Sequence, residues 1–136
     1  MADAVATLVK LAEQKVEEKQ KELAVLNGNL NAMQAREEEL NTSISSGYQQ
    51  AEQANDPTIS QQAGNYAKRA EIELDVLKQA FELVEKERDE KFKALQGLFA
   101  EQKRYEILLE RKQKEALKKR EKKQQDQLDE LAGNRR

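Results

Sequence analysis

The sequence predicts an all-α fold, an antiparallel two-helix coiled-coil hairpin whose second helix overhangs the first. Three observations predict it: an apolar period of about 3.5 residues held along most of the chain, a single proline that interrupts it, and a composition too polar for a layered core. Of the 136 residues 37% are charged, 38% hydrophobic and only 4% aromatic, with no Trp, so the apolar material suffices for one narrow seam within a single domain.

In the first half, apolar positions step forward by four and three: Val5, Val9, Ala12, Val16, then past Lys19 to Leu23, Leu26, Leu30 and Met33, past Glu37 to Leu40 and Ile44, past Gly47 to Ala51 and Ala54. Such a stripe drifts around a straight helix and makes two helices wind about each other with interlocking side chains. The pattern supports a first helix over about residues 3–54. It halts at Asn55-Asp56-Pro57-Thr58, expected to be the turn, because Pro57 lacks a backbone N–H and disfavours helical dihedrals at Asp56. Thr58 is expected to cap the second helix, with Gln61 completing a capping box. Within the first helix, Thr42 to Gly47 has poor helix propensity, which marks the place for a kink or looser segment.

The second helix, expected over about residues 59–132, carries its own seam: Ala63, Ala67, Ala70, Leu74, Leu77, Phe81, Val84, Arg88, Lys91, Leu95, Leu98, Gln102, Tyr105 and Leu109. Antiparallel partners have residue numbers that add to a constant, and 114 places Leu40 with Leu74, Met33 with Phe81, Leu30 with Val84, Val16 with Leu98, Val9 with Tyr105 and Val5 with Leu109. The same register sets each polar seam residue against an apolar one: Glu37 against Leu77, Lys19 against Leu95, Arg88 against Leu26, Lys91 against Leu23, Gln102 against Ala12. Long charged side chains can lay their stems on the seam and keep their heads in water. A parallel dimer of one long helix would instead carry Pro57 in mid-rod, at a cost of about 3 kcal/mol or more per helix.

Residues 112–136 then have nothing to pair with, an overhang of about 37 Å if helical. Charge changes at the same place: Met1 to Leu109 holds 14 Lys/Arg against 20 Asp/Glu, and Glu110 to Arg136 holds 10 against 6. Leu128 and Leu131 are the apolar residues near its end, and Gly133 is expected to stop the helix as a C-terminal cap.

Several function classes are excluded by composition. With no Cys and no His, the chain has no disulfide, no thiolate or imidazole ligand, and lacks the commonest general base near neutral pH. Its carboxylate runs, Glu37-Glu38-Glu39 and Asp89-Glu90, sit on a rod that cannot exclude water, so they are read as a solvated face. No phosphate loop, zinc spacing or calcium loop is present, so no enzyme activity, cofactor or metal is expected. No signal-peptide pattern and no apolar run of about 20 residues occurs, and a cytoplasmic protein is expected. The basic overhang is interrupted by Glu115, Glu121 and Asp126, which argues against nucleic acid as partner. What remains is binding to other proteins. Val76 and Leu83, with Ile72 and Ala80, make an outward stripe on the second helix, and Tyr48 and Tyr66 flank the seam near the turn, where aromatic side chains serve as anchors.

The segments Leu8 to Val16 (LVKLAEQKV), Asn65 to Ala70 (NYAKRA), Glu110 to Glu115 (ERKQKE) and Gln127 to Ala132 (QLDELA) occur in an order and spacing that resemble the flagellar export protein FliJ family over nearly the whole chain. The resemblance implies a hairpin similar to the central stalk of rotary ATPases. Its open end would enter the hexameric ring of the flagellar export ATPase, with further contacts to the export gate protein and to escort chaperones, placing it at the inner face of the cytoplasmic membrane through its partners only. Mapped here, ring contact falls on Lys112, Lys119, Arg120, Lys123, Leu128, Asp129 and Leu131, and gate contact on Tyr48, Tyr66, Val76 and Leu83. Two alternatives stand beside it: the equivalent stalk of a virulence type III secretion system, and a prefoldin-like hairpin chaperone, although residues 55–60 are too short to hold that family's strand segments.

Arg88 and Lys91 occupy consecutive seam positions. Replacing both with Leu is expected to raise the stability of the hairpin by roughly 1–3 kcal/mol, seen as a higher thermal midpoint in circular dichroism. No gain, with a shift to larger oligomers, would place these positions on open faces.

Overall fold

The computed structural model describes residues 2–134, with side chains from residue 3 to residue 133. The chain forms two long helices in contact, α1 (Ala2–Ala54) and α2 (Pro57–Asn134). No strand occurs among the described residues, so the strand segments of a prefoldin-like hairpin are missing there.

The reversal is tighter than the sequence suggests. Asn55 has a left-handed backbone (φ 49°) and its N–H donates to the Ala51 carbonyl at 3.1 Å. That bond closes the last turn of α1, and asparagine is among the few residues other than glycine that tolerate the geometry. Asp56 then starts α2. Its Oδ1 accepts from the Thr58 N–H at 2.9 Å and its carbonyl from the Ser60 N–H at 3.1 Å. Asp56 therefore takes the capping role expected of Thr58 and Gln61. The reason lies in Pro57, whose fixed φ suits the first helical position and whose missing N–H would be unpaired there anyway. α2 also runs through Gly133 to Asn134, and no described glycine has a positive φ. A glycine weakens a helix by about 1 kcal/mol but does not end it unless the chain must turn away. α1 likewise continues without interruption through Thr42 to Gly47.

The chain divides into two compact units, Gln20–Lys93 and residues 1–19 with 94–136. In the first of these, the pairing is antiparallel. The Lys91 ammonium lies 3.0 Å from a Glu22 carboxylate oxygen, the Arg36 guanidinium donates to both carboxylate oxygens of Glu73 at 2.9 and 3.1 Å, and a Cβ at Gly47 would lie 3.9 Å from that of Ala63. Residue numbers in these pairs add to 113, 109 and 110, all below the expected 114, and the seam neighbour of Gly47 is Ala63, four residues before the Ala67 that the expected register assigns. Arg36 also reaches Glu39 at 3.2 Å, and its hydrogen bonds to Glu73 raise its pKa above the ordinary guanidinium value. The buried residues of this unit are Leu23, Leu26, Leu30, Leu40, Ala51, Ala67 and Ala70.

In the other unit Val5, Val9, Ala12 and Val16 of α1 and Leu95 of α2 are buried, while Leu98, Gln102, Tyr105 and Leu109 are half-buried. Across the described chain every buried residue occupies a seam position read from the sequence, nine on α1 and three on α2. The imbalance follows from size. The α1 seam is mostly Val, Ala and Leu, and its Lys19, Met33, Glu37, Ile44 and Gly47 are not among the buried residues, whereas that of α2 includes Phe, Tyr, Arg, Lys and Gln, which extend beyond what one opposing helix covers. Ala54, the last α1 seam position, is exposed because the helix ends there.

Gly47 and Ala63 give a direct test of the antiparallel pairing, since 3.9 Å between β-carbons suits a disulfide. Gly47→Cys with Ala63→Cys is expected to oxidise to an intrachain disulfide, detected as a faster-migrating monomer on non-reducing gels. Crosslinks found only between chains would refute the hairpin.

Candidate interaction site

The seam leaves several surfaces without a partner. The first is the C-terminal arm of α2. Lys112 is half-buried, and every described side chain beyond it, from Gln113 to Gly133, is exposed. Lys119, Arg120, Lys123, Leu128, Asp129 and Leu131 all lie in this stretch, with Leu128 and Leu131 about 60% exposed. The arm is held by contacts within itself: Lys114 pairs with Glu110 at 3.2 Å, and Gln125 donates to Asp129 at 3.3 Å. Pairs one helical turn apart of this kind contribute only a few tenths of a kcal/mol each, roughly 0.2–0.5, so the arm gains little from its own chain.

The second surface is the outward stripe of α2, where Ile72, Val76 and Leu83 are 66%, 61% and 71% exposed. Their spacing of four and seven places them on one side of the helix. Tyr66 is half-buried, whereas Tyr48 of α1 is exposed. The two tyrosines do not come together. Tyr66 lies seven residues, one heptad, before Glu73 and so on the flank bridged by Arg36 and Glu73, while Tyr48 follows its seam position Gly47 and faces the opposite flank. Of the four residues mapped to gate contact, Tyr66, Val76 and Leu83 are therefore on neighbouring faces of α2, and Tyr48 stands apart.

The third surface was not anticipated. Glu37 occupies a seam position but is exposed, unlike Lys19, Arg88, Lys91 and Gln102, which are half-buried as expected. A glutamate has two methylenes before its charge against four for lysine, so covering the seam would draw the carboxylate out of water. Gln102, equally short, is neutral, and donates to Glu106 at 3.0 Å. The outward turn of Glu37 leaves a groove of about 490 Å³ between the helices, floored by Met33, Leu74, Leu77 and Phe81 and rimmed by Asp75, Lys78, Glu82 and Glu85 with Glu37 itself. The sequence did carry the signal: Glu37 was the one acidic seam residue.

Sequence reasoning also passed over off-seam apolar residues within the unit of residues 1–19 and 94–136. Leu8 and Leu11 on α1 and Phe99, Ile107 and Leu108 on α2 are 39–48% exposed. Leu8, Phe99 and Leu108 lie on the seam's flanks, where an apolar residue is easily mistaken for seam redundancy, and Leu11 and Ile107 lie on the outward side.

Among the described residues no group of three or more acidic side chains is placed to hold a metal ion, no buried side-chain polar atom lacks a partner, and no helix is long and apolar enough to cross a membrane. The pKa of Tyr105 is raised, chiefly by the hydrogen bond its phenol donates to Glu101 at 3.0 Å.

A family model described as flagellar FliJ protein matches residues 1–135. A search of curated proteins and a search of solved structures each returned no match.

The Tyr105 bond has a definite pH signature. Because its folded pKa is raised, the contribution of the bond holds below the ordinary phenol value of about 10 and is lost as pH rises through the higher folded value. In a chain carrying Tyr48→Phe and Tyr66→Phe, ultraviolet titration is expected to show phenolate forming at lower pH once Glu101 is changed to Gln. An unchanged curve would mean that the bond does not form in solution.

Proposed function

The chain belongs to the flagellar FliJ protein family, and from its role in flagellar protein export we propose that it is a stalk-like adaptor without catalytic activity, joining the export ATPase ring to the export gate. The observation that carries this reading is the arm. About 20 residues of continuous helix, exposed on all sides and with their basic residues gathered before Gln124, contribute nothing to the packing of the hairpin, and an isolated helix of such composition is marginal in water. Such a segment is retained for a partner that covers it.

In this reading the arm, through Lys112, Lys119, Arg120, Lys123, Leu128, Asp129 and Leu131, enters the centre of the ATPase hexamer. The ring would offer carboxylates to the Lys/Arg faces and an apolar collar to Leu128 and Leu131. A single asymmetric helix inside a ring touches each subunit differently, so it favours different conformations in each and biases their exchange; no chemistry of its own is required. The α2 stripe around Val76 and Leu83, with Tyr66 beside it and Tyr48 on the other flank, would meet the export gate, and escort chaperones would use the remaining exposed body. The place of action is the cytoplasmic face of the membrane, reached through these partners.

Truncation after Leu109 tests the division of labour. The shortened chain is expected to keep nearly the full thermal midpoint and to lose stimulation of the cognate export ATPase. Lys119→Glu, Arg120→Glu and Lys123→Glu together are expected to weaken ring binding, with a steep dependence on salt in the parent chain and a shallow one in the variant. Tyr48→Ala and Val76→Ala are expected to spare ATPase stimulation and reduce gate binding. Full stimulation by the truncated chain, or its outright unfolding, would overturn the assignment.

A further inference from the structure

The groove at Glu37 and the arm of α2 have opposite charge and matching apolar content. Four carboxylates, Glu37, Asp75, Glu82 and Glu85, surround an apolar floor of Met33, Leu74, Leu77 and Phe81, with Lys78 as the one cation among the lining residues. From Lys112 to Lys123 the arm holds seven basic residues and two acidic ones. In the middle of that run stands Leu117, a lone large apolar side chain, 54% exposed, that neither the seam nor the ring reading uses. Lys114 and Arg120 lie three residues to either side of it and so share its face of the helix.

The geometry points to a contact between two copies of this chain, in which Leu117 of one copy fills the groove beside Glu37 of the other while Lys114 and Arg120 meet Glu82, Glu85 and Glu37 at the rim. The groove is an unfilled seam layer: a leucine offered from outside supplies the apolar contact that Glu37 withholds from Leu77 and Phe81. Its volume lies within the range of about 300–1,000 Å³ that accommodates bound groups of side-chain size and larger. The contact joins unlike surfaces, so a pair that exchanges both arms closes, and one that exchanges a single arm can add further copies. The rim charges are exposed, so the attraction is screened by salt. The inference stands on these residues alone and does not require the export role. It gives the arm a cover when no ring is present.

Analytical ultracentrifugation of the full chain tests it. Concentration-dependent association is expected at about 0.1 M salt and loss of it at about 1 M, where the screening length falls from about 10 to about 3 Å. Leu117→Asp should give a monomer with unchanged helix content, since the side chain is exposed. Glu82→Lys with Glu85→Lys, and separately Lys114→Glu with Arg120→Glu, should each abolish self-association, and mixing these two variants should restore a complex, because reversed rim then faces reversed arm. A monomer at low salt in the parent chain would overturn the proposal and leave the groove to a foreign basic partner. Association that survives Leu117→Asp, or variants that fail to rescue each other, would overturn it equally. None of these outcomes depends on ATPase stimulation, so failure here and failure of the stalk reading are separate results.

Discussion

Two helices alone can enclose only a strip of side chains, and that narrowness governs everything else in this molecule. A helix in a bundle has neighbours on several sides; here each has one, so a residue is covered only if it points along the line of contact. The buried residues accordingly coincide with the heptad positions, and even there the larger side chains of α2 remain half in water. A seam of this kind cannot hold a dry cavity, which is why the abundant carboxylates remain a solvated face and the chain is suited to presenting surface.

The same narrowness makes each seam position sensitive to the length of its side chain as well as its polarity. Lys19, Arg88 and Lys91 spread methylene stems over the seam, and Lys91 ends in an ion pair with Glu22 across the helices. Glu37 has no comparable stem and turns outward, so one layer of the seam is left open as a groove. Immediately before Glu37, Arg36 holds Glu73 with two hydrogen bonds. Placed beside an incomplete layer, that fork fixes the relative position of the helices by geometry, which an exposed ion pair does better than it adds stability.

Unequal helix lengths leave part of α2 without a partner helix. The reversal at Asn55 and Asp56 ends α1 at Ala54 and starts α2 at Pro57, after which α2 continues for 78 residues against 53 for α1. The excess emerges as an arm whose described side chains from Gln113 to Gly133 are exposed. The chain as a whole belongs to the flagellar FliJ protein family, and an exposed and marginal helix is stabilised mainly by what it binds.

The fold class, the seam, the antiparallel pairing and the exposed arm were legible in the sequence because each depends on periodicity or on proline, which act locally and repeat. The family was legible in four short segments spread over the chain. Capping was not: Thr58 and Asp56 are both competent caps, and only the conformation of Asn55 together with the fit of Pro57 at the first helical position decided for Asp56. Nor did Gly133 reveal that the helix would continue past it, because a glycine permits an ending that only a change of chain direction enforces. The placement of Tyr48 and Tyr66 on opposite flanks, and the opening beside Glu37, also required the tertiary structure. Heptad pattern says which residues face the partner helix; how far each side chain reaches across, and what it leaves uncovered, depends on the size and charge of the residue opposite.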